Sequence, residues 1–446
     1  MRLPRALILS TLSLALSLTF ASAQAADLLS LYREAANQDP AVASARASLQ
    51  ASRERVEQAE AANGFSAGIN AGTNANYFDL HVRTQPRAQT DRGYLTASVQ
   101  AYVNKPLIRP ANNVAIEQAV ASVTLFELSL QAAQMDVANR LSQAYFDVLL
   151  AQDNVALVQS QKAAVAEQLA QAKRNFEVGT ATIVDTNEAQ ARYDQVIAQE
   201  IAAQNELDRT RWALRNVVGR YEINLKRLRT TTLMPAPNPA NMEAWVTRAE
   251  REAYAVRIAL QTLSVSEFDV RRAQTGKDWT LDATANITNS QSTASTTSGF
   301  GTWANTGLIG LTFNWPFDIS GGVNARIREA LALVDKNRND IESARRSAGF
   351  NVRQSYLGVT SGVAGVAAQQ QALKSAETLL ASTKLGLEVG VRTNLDVLNA
   401  QQQVTLVQRD LALARYNTLL NELRLKAATG VLREDDIRAT NAYLTE

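Results

Sequence analysis

Two aspartates in this chain occupy matching settings. Asp185 lies six residues after Gly179 in EVGTATIVDTNEAQ (177–190), and Asp396 lies six after Gly390 in EVGVRTNLDVLNAQ (388–401). The two stretches agree at 7 of 14 positions and are offset by 211 residues (388 − 177). A glycine followed at this distance by an acid suits a helix end, a sharp turn and a returning helix. Glycine takes the left-handed conformation that closes a helix, and a carboxylate in the next helix's first turn meets the positive end of its macrodipole. On residue type alone, that accounts for both aspartates. Other chemistry is sparse. The chain has no cysteine and one histidine, His81, which excludes disulfides, thiol catalysis, a lipid-modified N-terminal cysteine and His-rich metal sites. No P-loop, dinucleotide-binding glycine pattern or nucleophile elbow occurs. The chain reads as no enzyme, and no cofactor or metal is expected.

Composition narrows the class further. Arg2 and Arg5 precede a mostly apolar run from Ala6 to Phe20, and Ala23-Gln24-Ala25 offers small residues at a cleavage point. Residues 1–25 therefore read as a secretory signal peptide; the 15-residue run is shorter than the ~20 residues a spanning helix needs. The remainder is balanced, with 43 basic residues (45 less Arg2 and Arg5) against 43 acidic, which gives no support for nucleic-acid binding. Twenty glycines and nine prolines are few for 446 residues, as in a chain dominated by long helices.

The elements that must position the two turns follow from the repeat. At the 211-residue offset Tyr145 meets Tyr356, Val148 meets Val359, Leu214 meets Leu425 and Gly219 meets Gly430. Upstream the offset becomes 214, pairing Val42 with Val256 and Leu49 with Leu263. The chain thus divides into repeat 1 (26–234), a Pro-rich linker (235–240), repeat 2 (241–435) and a C-terminal tail (436–446). Each repeat reads as a helix, two strands, a very long helix, a turn (177–183 or 388–394) and a returning helix. Leu141, Val148, Val155, Lys162, Leu169 and Phe176 recur every seven residues, with Ala144, Ala151, Val158, Val165 and Ala172 three further on. Val352, Val359, Val366, Leu373, Leu380 and Leu387 repeat the seam. Apolar residues at this spacing pack helix against helix, and small residues at the second position allow close approach. From Asn113 to Val178 there is neither proline nor glycine, so a rod of roughly 100 Å is expected.

Strands are predicted at about 65–78, 93–104, 279–289 and 306–317. In the second, Leu95, Ala97, Val99, Ala101 and Val103 alternate with mostly polar residues; in the third, Trp279, Leu281, Ala283, Ala285 and Ile287 do so. Gly307, Ile309, Leu311, Phe313 and Trp315 form the apolar face of the fourth, and Phe65, Ala67, Ile69 and Ala71 begin a weaker first. Alternation over ~10 residues with aromatics towards the ends fits a transmembrane barrel strand, and a sandwich strand with one wet face gives a similar pattern. Four strands cannot close a barrel, since small single-chain barrels need about eight. If they span lipid, chains must combine.

With RNFEVGTATIVDTNEAQARYDQVIAQE (174–200), LEVGVRTNLDVLNA (387–400) and LARYN (413–417), the sequence resembles the TolC family of trimeric outer-membrane efflux ducts over essentially its whole mature length. The resemblance implies an α+β membrane protein. Three chains would share a twelve-stranded barrel, continued across the periplasm of a Gram-negative cell by a helical coiled-coil tunnel. The implied function is an outer-membrane exit duct for proteins or small toxic compounds. It would be coupled through a periplasmic adaptor to an inner-membrane ABC or proton-driven pump, with outer-membrane lipid around the barrel and no nucleic-acid partner. The turns become the tips of two helical hairpins, with Gly179, Thr180, Gly390 and Val391 expected to meet the adaptor.

Residue by residue, Asp396 matches an aspartate ringing the family's entrance constriction, where symmetric carboxylates favour cation passage. Arg392 matches an arginine tying neighbouring tips in the closed state, Asp185 its acidic partner, and Arg415 a further arginine of the closing network. Two positions depart from the pattern. Leu387 replaces a tyrosine that hydrogen-bonds in the closed gate, and Asn399 replaces a second aspartate one turn beyond the first. A weaker latch and weaker cation selectivity are expected. Two other classes remain open on sequence: a soluble periplasmic coiled-coil adaptor without a pore, and a diffusion porin, which would lack the long heptad rods.

Overall fold

The computed structural model describes residues 26–81, 89–220, 224–229, 234–294 and 300–444; the signal-peptide reading falls outside them. The chain opens with α1 (Leu28–Gln38) and α2 (Pro40–Ala61), joined at Asp39, whose carboxylate caps α2 by accepting from Ala41 N and Val42 N. Strands β1 (Ser66–His81) and β2 (Gln89–Ile108) lead into α3 (Pro110–Glu177), a single helix of 68 residues. Proline at its start supplies a fixed φ where no donor is required. After the first turn, α4 (Ile183–Val218) returns along α3.

The second repeat follows the same order with α5 (Met242–Glu252), α6 (Tyr254–Gln274), β3 (Thr280–Ser292), β4 (Thr302–Asn314), α7 (Gly322–Glu388) and α8 (Asn394–Ala428). Between the repeats, Trp245 Nε1 donates to Pro239 O at 2.8 Å, anchoring the linker to α5.

The heptad seam of α3 is the inner face of the first hairpin. Leu141, Val148, Val155, Leu169, Ala144, Ala151, Val158, Val165 and Ala172 are all buried. Lys162 joins Glu200 of α4 at 2.7 Å in place of an apolar contact. In α7 the upper seam holds at Val352, Val359 and Val366, whereas lower down Ala376, Thr383 and Gly386 are the buried residues. Leu373 and Leu380 are only partly covered, against Ala376, Val404 and Val407. The largest core lies midway along the rods, where Tyr145, Phe146 and Tyr416 meet α1 and the C-terminal segment. Tyr145 is fully buried and its hydroxyl donates to Lys226 O at 2.8 Å, so it packs.

Among the described residues of the expected tail (436–446), those up to Leu444 do not hang free. Glu434–Asn441 form α9; Ile437 and Leu444 are buried, and Leu444 pairs with Leu228. A short helix that buries one apolar side behind an acidic first turn gives little periodic signal, which is why the sequence offered only a tail there.

The strands form one antiparallel sheet in the order β1-β2-β3-β4. In register, Ile69, Ala101, Ile287 and Gly307 align across it, as do Gly68, Tyr102, Asn286 and Leu308 on the adjacent row. One face is therefore apolar, carrying Ile69, Val99, Val103, Ile287, Ile309 and Leu311, all exposed. The other is rich in neutral polar side chains such as Asn70, Gln100, Thr284 and Thr288. β2 runs through Pro106 to Ile108, past the strand end expected at residue 104. Its pairing with β1 stops at Asn104 and its ladder with β3 is irregular at Pro106, so the missing donor costs nothing there. β4 ends at Asn314, leaving Trp315 stacked on Phe317 with centroids 5.4 Å apart just beyond it. No helix among the described residues is long and apolar enough to cross a membrane.

Candidate functional site

Both tips are built by the same local chemistry. Gly179 (φ 78°) and Gly390 (φ 79°) take the left-handed conformation that ends α3 and α7. The freed backbone donors turn inward: Thr180 N and Ala181 N reach Asn175 O, and Val391 N and Arg392 N reach Gly386 O at 2.9 and 3.1 Å. A reciprocal cap then starts each returning helix. Asp185 Oδ2 accepts from Thr182 N (2.9 Å) and from the Thr182 hydroxyl (2.7 Å), while Asp185 N donates back to Thr182 Oγ1. Asp396 Oδ2 accepts from Thr393 N and Oγ1, both at 3.0 Å. Each aspartate thus stands three residues into a capping box, satisfying donors a helix start leaves free.

These bonds hold both carboxyls below the ordinary carboxylate range. For Asp185 the Thr182 hydroxyl contributes most, then its backbone N–H. For Asp396 the Thr393 backbone comes first, then its hydroxyl, with the Arg392 guanidinium adding to the effect. Both are ionised at neutral pH.

An open groove of about 660 Å³ separates the two tips. Asp185 and Thr180 line it from the first hairpin; Leu387, Gly390 and Arg392 line it from the second. Thr180, Asp185, Leu387, Gly390 and Arg392 are therefore neighbours within one protomer, whereas Gly179, Val391, Asp396 and Asn399 do not line the groove. Arg392 lies with its stem over Gly386, where a Cβ would meet Arg392 Cγ at 2.7 Å. Its electrostatic neighbour in the chain is Asp396, whereas the Asp185 carboxylate is engaged by Thr182. Val391 is exposed, as are Val178 and Val389.

Arg415 is not at the tip. It lies 19 residues beyond Asp396 along α8, about 28 Å at ~1.5 Å per residue. Its charge acts on Asp153 of α3, whose carboxyl burial pushes up while a 2.6 Å bond from the Tyr416 hydroxyl opposes that shift. Arg415 Nε is buried without a hydrogen-bond partner.

Sequence reasoning missed two residues here. Asn399 is bound by Arg192 of α4, whose Nη2 donates to Asn399 Oδ1 at 2.8 Å. Gln168 lines the groove, and its Oε1 is buried without a partner. Neither Arg192 nor Gln168 belongs to the repeated motif, so comparison of the halves could not reveal them. Among the described residues no group of His, Asp or Glu side chains could hold a metal ion.

A sheet with one exposed apolar face, continued by paired 67- and 68-residue helices that end in capped tips, defines an outer-membrane channel of the duct type. The chain belongs to the outer membrane efflux protein family, whose model matches residues 31–220 and 245–431, once in each repeat. It is 30% identical over 435 residues to the outer membrane protein TolC of Vibrio cholerae, covering 97% of both chains. It is 26% identical over 439 residues to the proteases secretion protein PrtF of Dickeya chrysanthemi, covering 97% of this chain and 94% of that one. Among solved structures, the outer membrane protein VceC of Vibrio cholerae superimposes with a TM-score of 0.74 at 18% identity, over 90% of this chain and 96% of that one. The protein is accordingly an efflux and secretion duct of the Gram-negative outer membrane, a transporter and not an enzyme.

Proposed function

We propose that this duct is a homotrimer, closed at rest by contacts between hairpin tips and opened when a periplasmic adaptor engages those tips. The observation carrying the reading is the groove between the tips, which gathers Asp185, Leu387 and Arg392 from separate hairpins. Arg392 of one protomer pairs with Asp185 of the next in the closed state, and Asp396 gives each protomer's contribution to an acidic ring. Leu387 supplies no hydrogen bond, so the latch rests on fewer polar contacts. An exposed ion pair is worth only ~0–1 kcal/mol, and repetition around a symmetry axis makes such a latch sufficient. Arg415, half-buried beside Asp153 and Tyr416, stiffens the rods well above the tips. The exposed valines at 178, 389 and 391 form the apolar part of the adaptor surface, beside Gly179, Thr180 and Gly390.

Trimerisation is supported by the sheet. Among the described residues β1 and β4 each keep an unpaired edge, which lipid does not tolerate. Energy comes from an inner-membrane ABC or proton-driven pump, reached through the adaptor. The likeness to PrtF and to the alkaline protease secretion protein AprF of Pseudomonas aeruginosa favours secreted proteins among the substrates, with small toxic compounds as a second class.

Single-channel recording of purified wild type and Arg392→Ser in planar bilayers tests the gate. The latch requires a small resting conductance in wild type and a several-fold larger one in the variant. Equal resting conductances would remove Arg392 from the gate.

A further inference from the structure

The Arg192–Asn399 bond joins positions that the internal repeat does not pair. At the 211-residue offset, Arg192 corresponds to Gln403 and Asn399 to Glu188. The contact is therefore made once per protomer, from α4 of the first hairpin to α8 of the second. Both arms of the guanidinium fork are fixed: Nη2 donates to Asn399 Oδ1 at 2.8 Å and Nη1 to Gln195 Oε1 at 2.9 Å. Both acceptors are neutral amides, so the positive charge is held in place without being neutralised. Asn399 follows Asp396 by three residues on α8, one helical turn, and residues at that spacing share a face.

We propose that Arg192 is a selectivity-determining residue of the duct entrance. Resting on the reading of the tips as that entrance, it sets one fixed positive charge on the turn next to each Asp396. The constriction then alternates in sign. Within a narrow, low-dielectric passage, fixed charges act on passing ions more strongly than on an open surface. Arg192 thus weakens the cation preference that the Asp396 carboxylates alone would create, and it eases entry of anionic groups, including acidic stretches of an exported polypeptide. Asn399 has a specific part: it positions the guanidinium by a neutral bond, where a carboxylate would cancel the charge.

The test is the reversal potential of reconstituted channels across a potassium chloride gradient, measured for wild type, Arg192→Gln, Arg192→Lys and Asp396→Asn. Arg192→Gln is expected to raise the potassium-to-chloride permeability ratio several-fold, Arg192→Lys to leave it near wild type, and Asp396→Asn to lower it. An unchanged ratio in Arg192→Gln beside a lowered one in Asp396→Asn would overturn the proposal and leave Arg192 a structural tie. A raised ratio in Arg192→Gln with no effect of Asp396→Asn would uphold it and remove Asp396 from the ring. No effect of either would overturn both. Should Arg192→Gln fail to assemble, Arg192→Met serves in its place: it keeps an unbranched stem and removes the charge without adding a carboxylate, so the ratio must rise, and an unchanged ratio overturns the proposal.

Discussion

Asp185 and Asp396 serve their helices first. Each carboxylate accepts two hydrogen bonds from the threonine that begins its helix, and that geometry exists in a single chain with no partner present. Replacing Thr182 with Ala removes one side of a cap and should cost about 1 kcal/mol locally, read as faster amide exchange at residues 183–187. The pH dependence has a definite sign. Because both folded-state values are depressed, the caps' contribution is fully present above the unfolded value of about 4 and is lost as pH falls through the folded values. Amide protection at both tips, corrected for intrinsic exchange, should therefore be flat from neutral pH to about 5 and decline only in stronger acid. Loss of protection near pH 6 would contradict the cap geometry. These two residues were legible in the sequence because the same fourteen-residue motif carries both. Arg192 was not legible, since its partner Asn399 lies in the other half, where the repeat pairs Arg192 with Gln403 instead.

At the scale of elements, the helical hairpins were the clearest feature of the sequence. Leu141 and Val148 recur at seven-residue spacing and are buried in α3. Leu373 and Leu380 carry the same spacing in α7 but remain partly exposed, because the α7–α8 contact there turns on the smaller Ala376 and Thr383. Periodicity identifies a seam without saying which of two adjacent rows faces the partner. The close approach of Arg392 to Gly386 has a similar origin in size: only a residue without a Cβ leaves room for the arginine stem. Gly386→Ala should displace Arg392 and raise resting conductance in the same direction as Arg392→Ser, by a smaller factor. In the sheet, alternation marked the strand centres but not their ends, since Gly72, Thr73, Asn74 and Asn76 put small or polar residues on both faces of outer β1. The two faces should respond oppositely to charge. Ile287→Lys, on the apolar face at mid-strand, should cost ~2–4 kcal/mol, seen as loss of heat-resistant oligomer. Asn286→Lys, one residue away on the polar face, should assemble normally.

For the whole molecule, the central claim is that separate chains close one barrel through the free edges of β1 and β4. The two repeats place two strands each in a single sheet, and nothing among the described residues covers the exposed apolar face that carries Ile69, Ile287 and Ile309. In the proposed trimer, lipid covers that face and a neighbouring chain covers the edges. The sequence pointed to this arrangement through strand count and the family resemblance, whereas the order β1-β2-β3-β4, which leaves β1 and β4 free, needed the structure. Absence of cysteine from the natural chain makes the most direct measurement clean. A panel of paired cysteine substitutions, one at Asn70, Gly72 or Asn74 of β1 and one at Thr306, Leu308 or Gly310 of β4, would be oxidised in intact cells and resolved by mass. The account requires disulfides between chains for pairs in register, yielding a ladder that ends at the trimer and reverts to monomer on reduction. A ladder ending at the dimer would contradict the twelve-stranded barrel, and a chain that stayed monomeric with every pair would contradict the shared barrel itself.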